Sequence, residues 1–337
     1  MGLARGPCGD RGRAHVMQTR GTRMRRLTAG VSALAIGVGL AMLPGSASAK
    51  PVNQTAGPAE VCLPGDGAPP ASGPHGRAEP ERTQRQVQAM DAEMRQRLAA
   101  KPKLAQTSRA ASPIHVKVAV HTIKKHKKDN AIGPERIRKM IDILNGAYSG
   151  AQSKTATNTR FRFKLESMDW TVNKKWHKAE PDTKAERDMK RALHRGNAAT
   201  LNIYLLEPAN SMWATGPADA RKNLKMDGVV IMQSSLWGGS LEGYDRGDGV
   251  VHEVGHWLGL EHTFEGGCSA YNDGVSDTPA ERTPAYQTCK KGRDTCPNKD
   301  GLDPIHNFMD YSPDLCATEF TRGQNERMVL HWLAYRR

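Results

Sequence analysis

Between Val251 and Phe264 the chain reads His252-Glu253-x-x-His256-x-x-Gly259-x-x-His262, a set of residue types and spacings that could hold a metal ion and work with it. On a helix, residues four apart lie one turn apart on the same face, about 40° from eclipsed. The imidazoles of His252 and His256 can therefore reach one small cation. Glu253 points beside that cation and not into its coordination shell, where a carboxylate can serve as base toward an activated water. The third histidine, His262, has to arrive from another direction. Gly259 supplies the means, because a residue without Cβ ends a helix in a left-handed conformation and turns the chain back. Three nitrogen ligands and one open position describe a catalytic zinc, whereas a structural zinc is closed by a fourth protein ligand.

The elements that must position these residues are legible in the periodicity. The spacing predicts an active-site helix from about Asp248 to Leu258, approached through Gly238, Gly239, Gly243, Gly247 and Gly249. Upstream, Ile114–Ile123 alternates as a half-buried strand, with His115 and His121 in the polar register and expected at the surface. Pro134–Ala151 reads as a helix with Ile137, Met140, Ile141, Leu144 and Ala147 on one face and proline in its first turn. Arg160–Leu165, Leu201–Leu206 and Val229–Met232 read as strands, and Asp182–His194 as a charged helix. Strands alternating with helices predict an α/β (α+β) architecture, a sheet layer resting on the catalytic helix. After Gly259 the chain turns rich in Gly, Asp, Pro and Cys. It closes with a helix over Thr321–Ala334, where Thr321 and Gln324 have capping-box spacing.

The N-terminal third has another character. Arg23, Arg25 and Arg26 precede the apolar run Leu27–Leu43 and the small residues Ala47-Ser48-Ala49, so residues 1–49 read as a secretory signal peptide, with Met17 a possible true start. Residues 50–112 read as a propeptide: a Gly/Pro/Ala-rich part, an amphipathic helix from Glu81 to Leu98 on Val87, Met90, Met94 and Leu98, and a polar linker with Arg109 as a candidate cut. Cys62 in this segment could occupy an open zinc position and hold the enzyme latent, or be incidental. The folded domain is expected over residues 113–337, with subdomains of about 113–259 and 260–337. The formal charge of +14 falls to 33 Lys/Arg against 28 Asp/Glu over residues 113–337, which with no reading motif argues against a nucleic-acid partner. No stretch after the signal crosses a membrane, and an extracellular monomer is expected. In an exported chain, Cys268, Cys289, Cys296 and Cys316 point to disulfides, with a four-thiolate zinc site as the rival.

Further downstream stands Asn307-Phe308-Met309-Asp310-Tyr311-Ser312. With His252–Phe264 (HEVGHWLGLEHTF), Gly266-Gly267-Cys268, Asp277-Thr278-Pro279, Cys316 and Phe320-Thr321-x-Gly323-Gln324-x-x-Arg327-Met328, the sequence resembles the pappalysin family of the metzincin zinc endopeptidases. The resemblance covers roughly residues 113–337 and is strongest from 248 onward. It implies a metzincin-like fold of two subdomains: a twisted, mostly parallel sheet with the active-site helix, then a loop-rich, disulfide-stapled C-terminal part. His252, His256 and His262 match the family's zinc ligands and Glu253 its general base. Met309 matches the methionine of a turn beneath the metal, and Tyr311 a tyrosine near the substrate oxyanion. The resemblance also implies the pairs Cys268–Cys296 and Cys289–Cys316, and structural calcium for which Asp273 and Asp277 are candidate ligands. Either Asp314 or Leu315 could face the pocket beyond the scissile bond. The function expected is a secreted zinc endopeptidase, made as a zymogen, that hydrolyses protein or peptide substrates with metal-activated water. A secreted binding module with a structural zinc, or a zinc hydrolase of small amides and esters, are the rivals.

Overall fold

Five strands form one sheet in the order β2-β1-β3-β5-β4 in a computed structural model that describes residues 82–102, 112–129, 132–209 and 211–337. The expected signal peptide and Cys62 lie outside the described residues, which all belong to one compact unit spanning Gly65–Arg337. Strand β1 (Ile114–Lys124) runs parallel to β2 (Phe161–Val172) on one side and to β3 (Thr200–Leu206) on the other. Strand β5 (Val229–Met232) continues the parallel array next to β3, and the short β4 (Trp213–Ala214) closes it antiparallel. A parallel sheet is covered on both faces, so its inner strands need apolar residues in both registers. Strand β3, TLNIYLL, is buried throughout.

That two-sided cover corrects the expectation for His121. The polar register of β1 does not face water: His121 is fully buried, whereas His115 is exposed. His121 Nδ1 lies 3.0 Å from Asp169 Oδ2 on β2 and Nε2 lies 3.1 Å from Asn202 Oδ1 on β3, with the ring stacked on Tyr204 at 5.1 Å. Buried polar groups need such partners, and here neighbouring strands supply them. Strand β2 also runs past the predicted end at Leu165. A bulge at Glu166 shifts the register against β1 between Val118 and Ala119, and this breaks the alternation on which the strand was read.

Helix α2 (Pro134–Tyr148) buries the predicted face, Ile137, Met140, Ile141, Leu144 and Ala147, and adds Tyr148, whose hydroxyl donates to Val251 O at 3.3 Å. Helix α3 (Lys184–Leu193) matches the charged helix, and a short α4 (Pro217–Lys222) follows β4. Helix α5 (Asp248–Trp257) lies inside the core, with all ten residues buried. Its Trp257 is sandwiched into the C-terminus: the indole donates to Asp227 at 2.9 Å, and the Arg336 guanidinium lies 3.6 Å over the ring while pairing with Asp227 at 2.9 Å. Helix α6 (Arg322–His331) starts with the predicted capping box between Thr321 and Gln324, and the chain continues as a π-turn over Trp332–Arg336.

Within the stretch read as propeptide, helix α1 (Gln84–Ala99) buries Val87, Asp91, Met94 and Leu98, and the last two join the main core. His331 sits beneath it, 1% exposed and 3.9 Å from Asp91. Burial pushes the His331 pKa down to about 4, against a partial opposing pull from Asp91. The unfolded chain, with a His pKa near 6.5, therefore binds this proton more readily than the folded one. Stability is expected to fall as pH drops from about 6.5 toward 4, by about 3 kcal/mol in all. Urea unfolding between pH 7.5 and 4.5 checks this, with His331→Gln flattening that part of the slope.

Candidate active site

Helix α5 presents His252 and His256 one turn apart with their Nε2 atoms 3.0 Å from each other, and His262 Nε2 closes to 3.0 Å from His256 Nε2. Each ring's other nitrogen is engaged by an oxygen. His252 Nδ1 donates to Phe308 O at 2.7 Å, His256 Nδ1 to Leu260 O at 2.8 Å, and His262 Nδ1 faces Glu265 Oε2 at 3.3 Å. A ring nitrogen against a carbonyl or carboxylate carries the proton, so each Nε2 presents its lone pair. Three lone pairs aimed at one point repel unless a cation sits among them. Zinc–nitrogen bonds of about 2.0–2.1 Å at tetrahedral angles place neighbouring nitrogens about 3.3 Å apart, close to the spacing found. Among the described residues this trio is the group of three or more His, Cys, Asp or Glu side chains whose ligating atoms converge.

The turn that brings His262 back is a Schellman motif. Gly259 N donates to His256 O at 2.9 Å and Leu260 N to Gly255 O at 3.0 Å, with Gly259 at φ +100°. A Cβ on Gly259 would lie 2.4 Å from Cγ of His331, so the position is closed sterically as well as conformationally. Glu253 is buried on α5, between the two helix-borne histidines.

Beneath the histidines the segment Asn307–Ser312 forms the expected turn. Asn307 Oδ1 accepts from Met309 N at 3.0 Å, and Thr263 N donates to Met309 O at 3.2 Å, tying the turn to the segment that carries His262. Met309 is fully buried, and a Cβ on Gly255 would lie 2.4 Å from its sulfur. No spacing pattern in the sequence points to Gly255. A glycine inside a helix costs roughly 0.5–1 kcal/mol against alanine, and that cost was the available signal that something packs there. Tyr311 brings its hydroxyl to 3.1 Å from His262 Nε2, at the edge of the nitrogen cluster. Its backbone oxygen accepts from Tyr244 Oη at 2.9 Å, and Tyr244 Oη in turn accepts from Gln287 N at 3.1 Å. Tyr244 and Glu265 are further positioning residues that spacing did not reveal. Asp310 stiffens the same turn by accepting from Tyr311 N at 2.7 Å, Ser312 Oγ at 2.8 Å and Ala285 N at 3.0 Å, and burial raises its pKa.

The two acids expected near a calcium serve separate local roles. Asp277 accepts from Thr321 Oγ1 at 2.7 Å and from Gly323 N at 2.8 Å, which sets a carboxylate on the N-terminus of α6. Asp273 accepts from Val275 N at 3.0 Å, and burial pushes its pKa up to about 8. Of the pair after the turn, Asp314 is the one folded inward. Its carboxylate accepts from Arg246 N at 2.8 Å and Asp248 N at 3.4 Å at the start of α5, and burial raises its pKa to about 6, while Leu315 is 69% exposed. The disulfides are Cys268–Cys296 and Cys289–Cys316, the interlaced pattern expected, and they staple a half poor in regular elements.

Comparison with known proteins agrees with this geometry. The sequence pattern of the pregnancy-associated plasma protein-A family matches residues 241–332, from the approach to α5 through α6. An extracellular metalloprotease of Colletotrichum graminicola is 40% identical over 232 residues, covering 67% of this chain and 79% of that one. One of Neurospora crassa is 38% identical over 234 residues, covering 67% and 78%. Among solved structures, a promirolysin variant of Tannerella forsythia superposes with a TM-score of 0.58 at 25% identity, covering 74% of this chain and 90% of that one. Mature mirolysin of the same organism in complex with a cleaved peptide gives a TM-score of 0.55 at 27% identity, covering 65% and 91%. With the histidine cluster, the mostly parallel sheet and the stapled C-terminal part in place, the chain belongs to the pappalysin family of metalloproteases, built on a metzincin-like fold.

Proposed function

We propose that the protein is an exported zinc endopeptidase, made as a zymogen, that cleaves protein or peptide substrates outside the cell. The observation that carries this reading is the convergence of three histidine Nε2 atoms whose Nδ1 partners are all in place. Relatives named extracellular metalloproteases support export, and no helix among the described residues is long and apolar enough to cross a membrane. When held by His252, His256 and His262, zinc supplies a Lewis acid that acidifies a water and polarises the scissile carbonyl. Glu253 then takes a proton from the attacking water and returns it to the departing amine nitrogen. The Tyr311 hydroxyl donates to the oxygen that gains charge as the carbonyl carbon becomes tetrahedral. Phe308 O, Leu260 O and Glu265 keep the rings in the required tautomer and orientation. Cys62 is proposed as the latency ligand of the zymogen, and the mature enzyme as a monomer.

Metal analysis of the secreted full chain, paired with cleavage of an unfolded protein substrate, tests the reading. Stoichiometric zinc with chelator-sensitive cleavage is expected. Stoichiometric zinc without cleavage of proteins or a peptide library, after removal of the N-terminal segment, would favour a binding module. For Tyr311→Phe, kcat is expected to drop about 10²-fold with KM and zinc content close to wild type, since only an oxyanion donor is lost. Steady-state kinetics with metal analysis checks it.

A further inference from the structure

Helix α1 and the residue that leads into it reach the turn between the second and third histidines by two routes, one direct and one through Arg327. At its N-terminal edge, Arg82 Nη1 pairs with Glu261 Oε2 at 2.8 Å, and Glu261, next to His262, is 3% exposed. About two turns into the helix, Asp91 interrupts an otherwise apolar buried stripe of Val87, Met94 and Leu98. Its carboxylate pairs with Arg327 Nη1 at 2.7 Å and accepts from the Tyr271 hydroxyl, with Asp91 3% and Arg327 6% exposed. Arg327 Nε in turn donates to Gly259 O at 2.8 Å. His331, whose ring lies against Gly259, also faces Asp91. The segment Gly259–His262 is thus held at one end by Arg82 directly and at the other by Asp91 through Arg327.

Without α1, Arg327 would lose the carboxylate it pairs with and Glu261 its cation, and the cover over both would open. Truncating one partner with the helix still in place would leave the other charge buried, which is strongly destabilising. The apolar face of α1 and its contact with the C-terminus, where Arg97 lies 4.9 Å over the Tyr335 ring, would be lost together. A helix that served only to block a cleft would need no buried charge tied to the metal-ligand turn.

We infer that helix α1 stays in place in the active enzyme as a brace of the third-ligand turn, with Asp91 and Arg82 as positioning residues for His262. The segment removed on activation therefore ends before Arg82, inside the stretch first read as propeptide. This rests on the zinc endopeptidase reading above.

Two measurements on the full chain test it. Native mass spectrometry of the active species recovered after secretion should show residues 82–102 present. An active species that lacks them overturns the inference. Zinc release to a chromogenic chelator should be about 10-fold faster in Asp91→Asn and in Arg82→Met, the lower end of the loss in affinity that follows removal of a ligand's direct partner. Leu98→Ala, which loosens α1 away from the turn, should lower the melting temperature and leave zinc release near wild type. Unchanged release in both charge variants sinks the brace while leaving the enzyme reading intact. A wild-type chain that holds no zinc sinks the enzyme reading instead.

Discussion

Glu253→Ala protein is expected to keep its zinc and its fold and to lose peptide-bond cleavage by about 10²–10⁴-fold in kcat/KM. The three nitrogens that converge belong to His252, His256 and His262, and the oxygens orienting them belong to Phe308, Leu260 and Glu265. Glu253 is neither one of the three converging ligands nor one of these orienting oxygens, so its removal is expected to take away the proton acceptor and leave the ligating nitrogens in place. Its side chain is also buried on α5. Glu253→Gln sharpens the test, because it preserves shape and removes basicity. Full cleavage activity in either variant would sink the proposed mechanism. Loss of zinc in Glu253→Gln would mean that the carboxylate also holds the metal.

How much of this was legible in advance depended on whether a feature is set by local periodicity or by what lies across from it. His252, His256 and Gly259 follow from the helical repeat and the left-handed turn, both local, and the structure places them as the spacing predicts. The burial of α2 and the capping box of α6 are local in the same sense. His121 was misread because alternation shows which residues share a face and not whether another layer covers it; Asp169 and Asn202 come from strands 48 and 81 residues away in sequence. Asp91 breaks the stripe of α1 for a partner, Arg327, that no pattern in the helix announces. Asp277, a candidate calcium ligand by its sequence neighbourhood, also meets the start of α6, whose Thr321 and Gly323 lie 44 and 46 residues further along the chain, beyond any local pattern. Strand β4, two residues long, carries no period to detect. The disulfide pairing came with the family resemblance, since four cysteines alone allow three pairings.

Gly259→Ala is expected to be among the most damaging single-methyl changes in the protein, for two separable reasons. At φ +100° an L-residue is strained by about 1–3 kcal/mol. The new Cβ would also lie 2.4 Å from Cγ of His331, whose ring is 1% exposed and has nowhere to retreat. Overpacking of that kind adds about 1–3 kcal/mol, so a total loss of about 2–6 kcal/mol is expected, and zinc binding should weaken because His262 rides on the displaced turn. Gly267 is the matched control. It also has positive φ, +54°, but a Cβ there meets nothing within 4 Å, so Gly267→Ala should show the backbone part alone, about 1 kcal/mol. His331→Ala opens the space in question. If the overlap is real, Gly259→Ala added to His331→Ala should cost about 1–3 kcal/mol less than Gly259→Ala added to wild type. Additive costs in that cycle, measured from urea midpoints, would place the whole effect in the backbone and leave His331 without a part in shaping the turn.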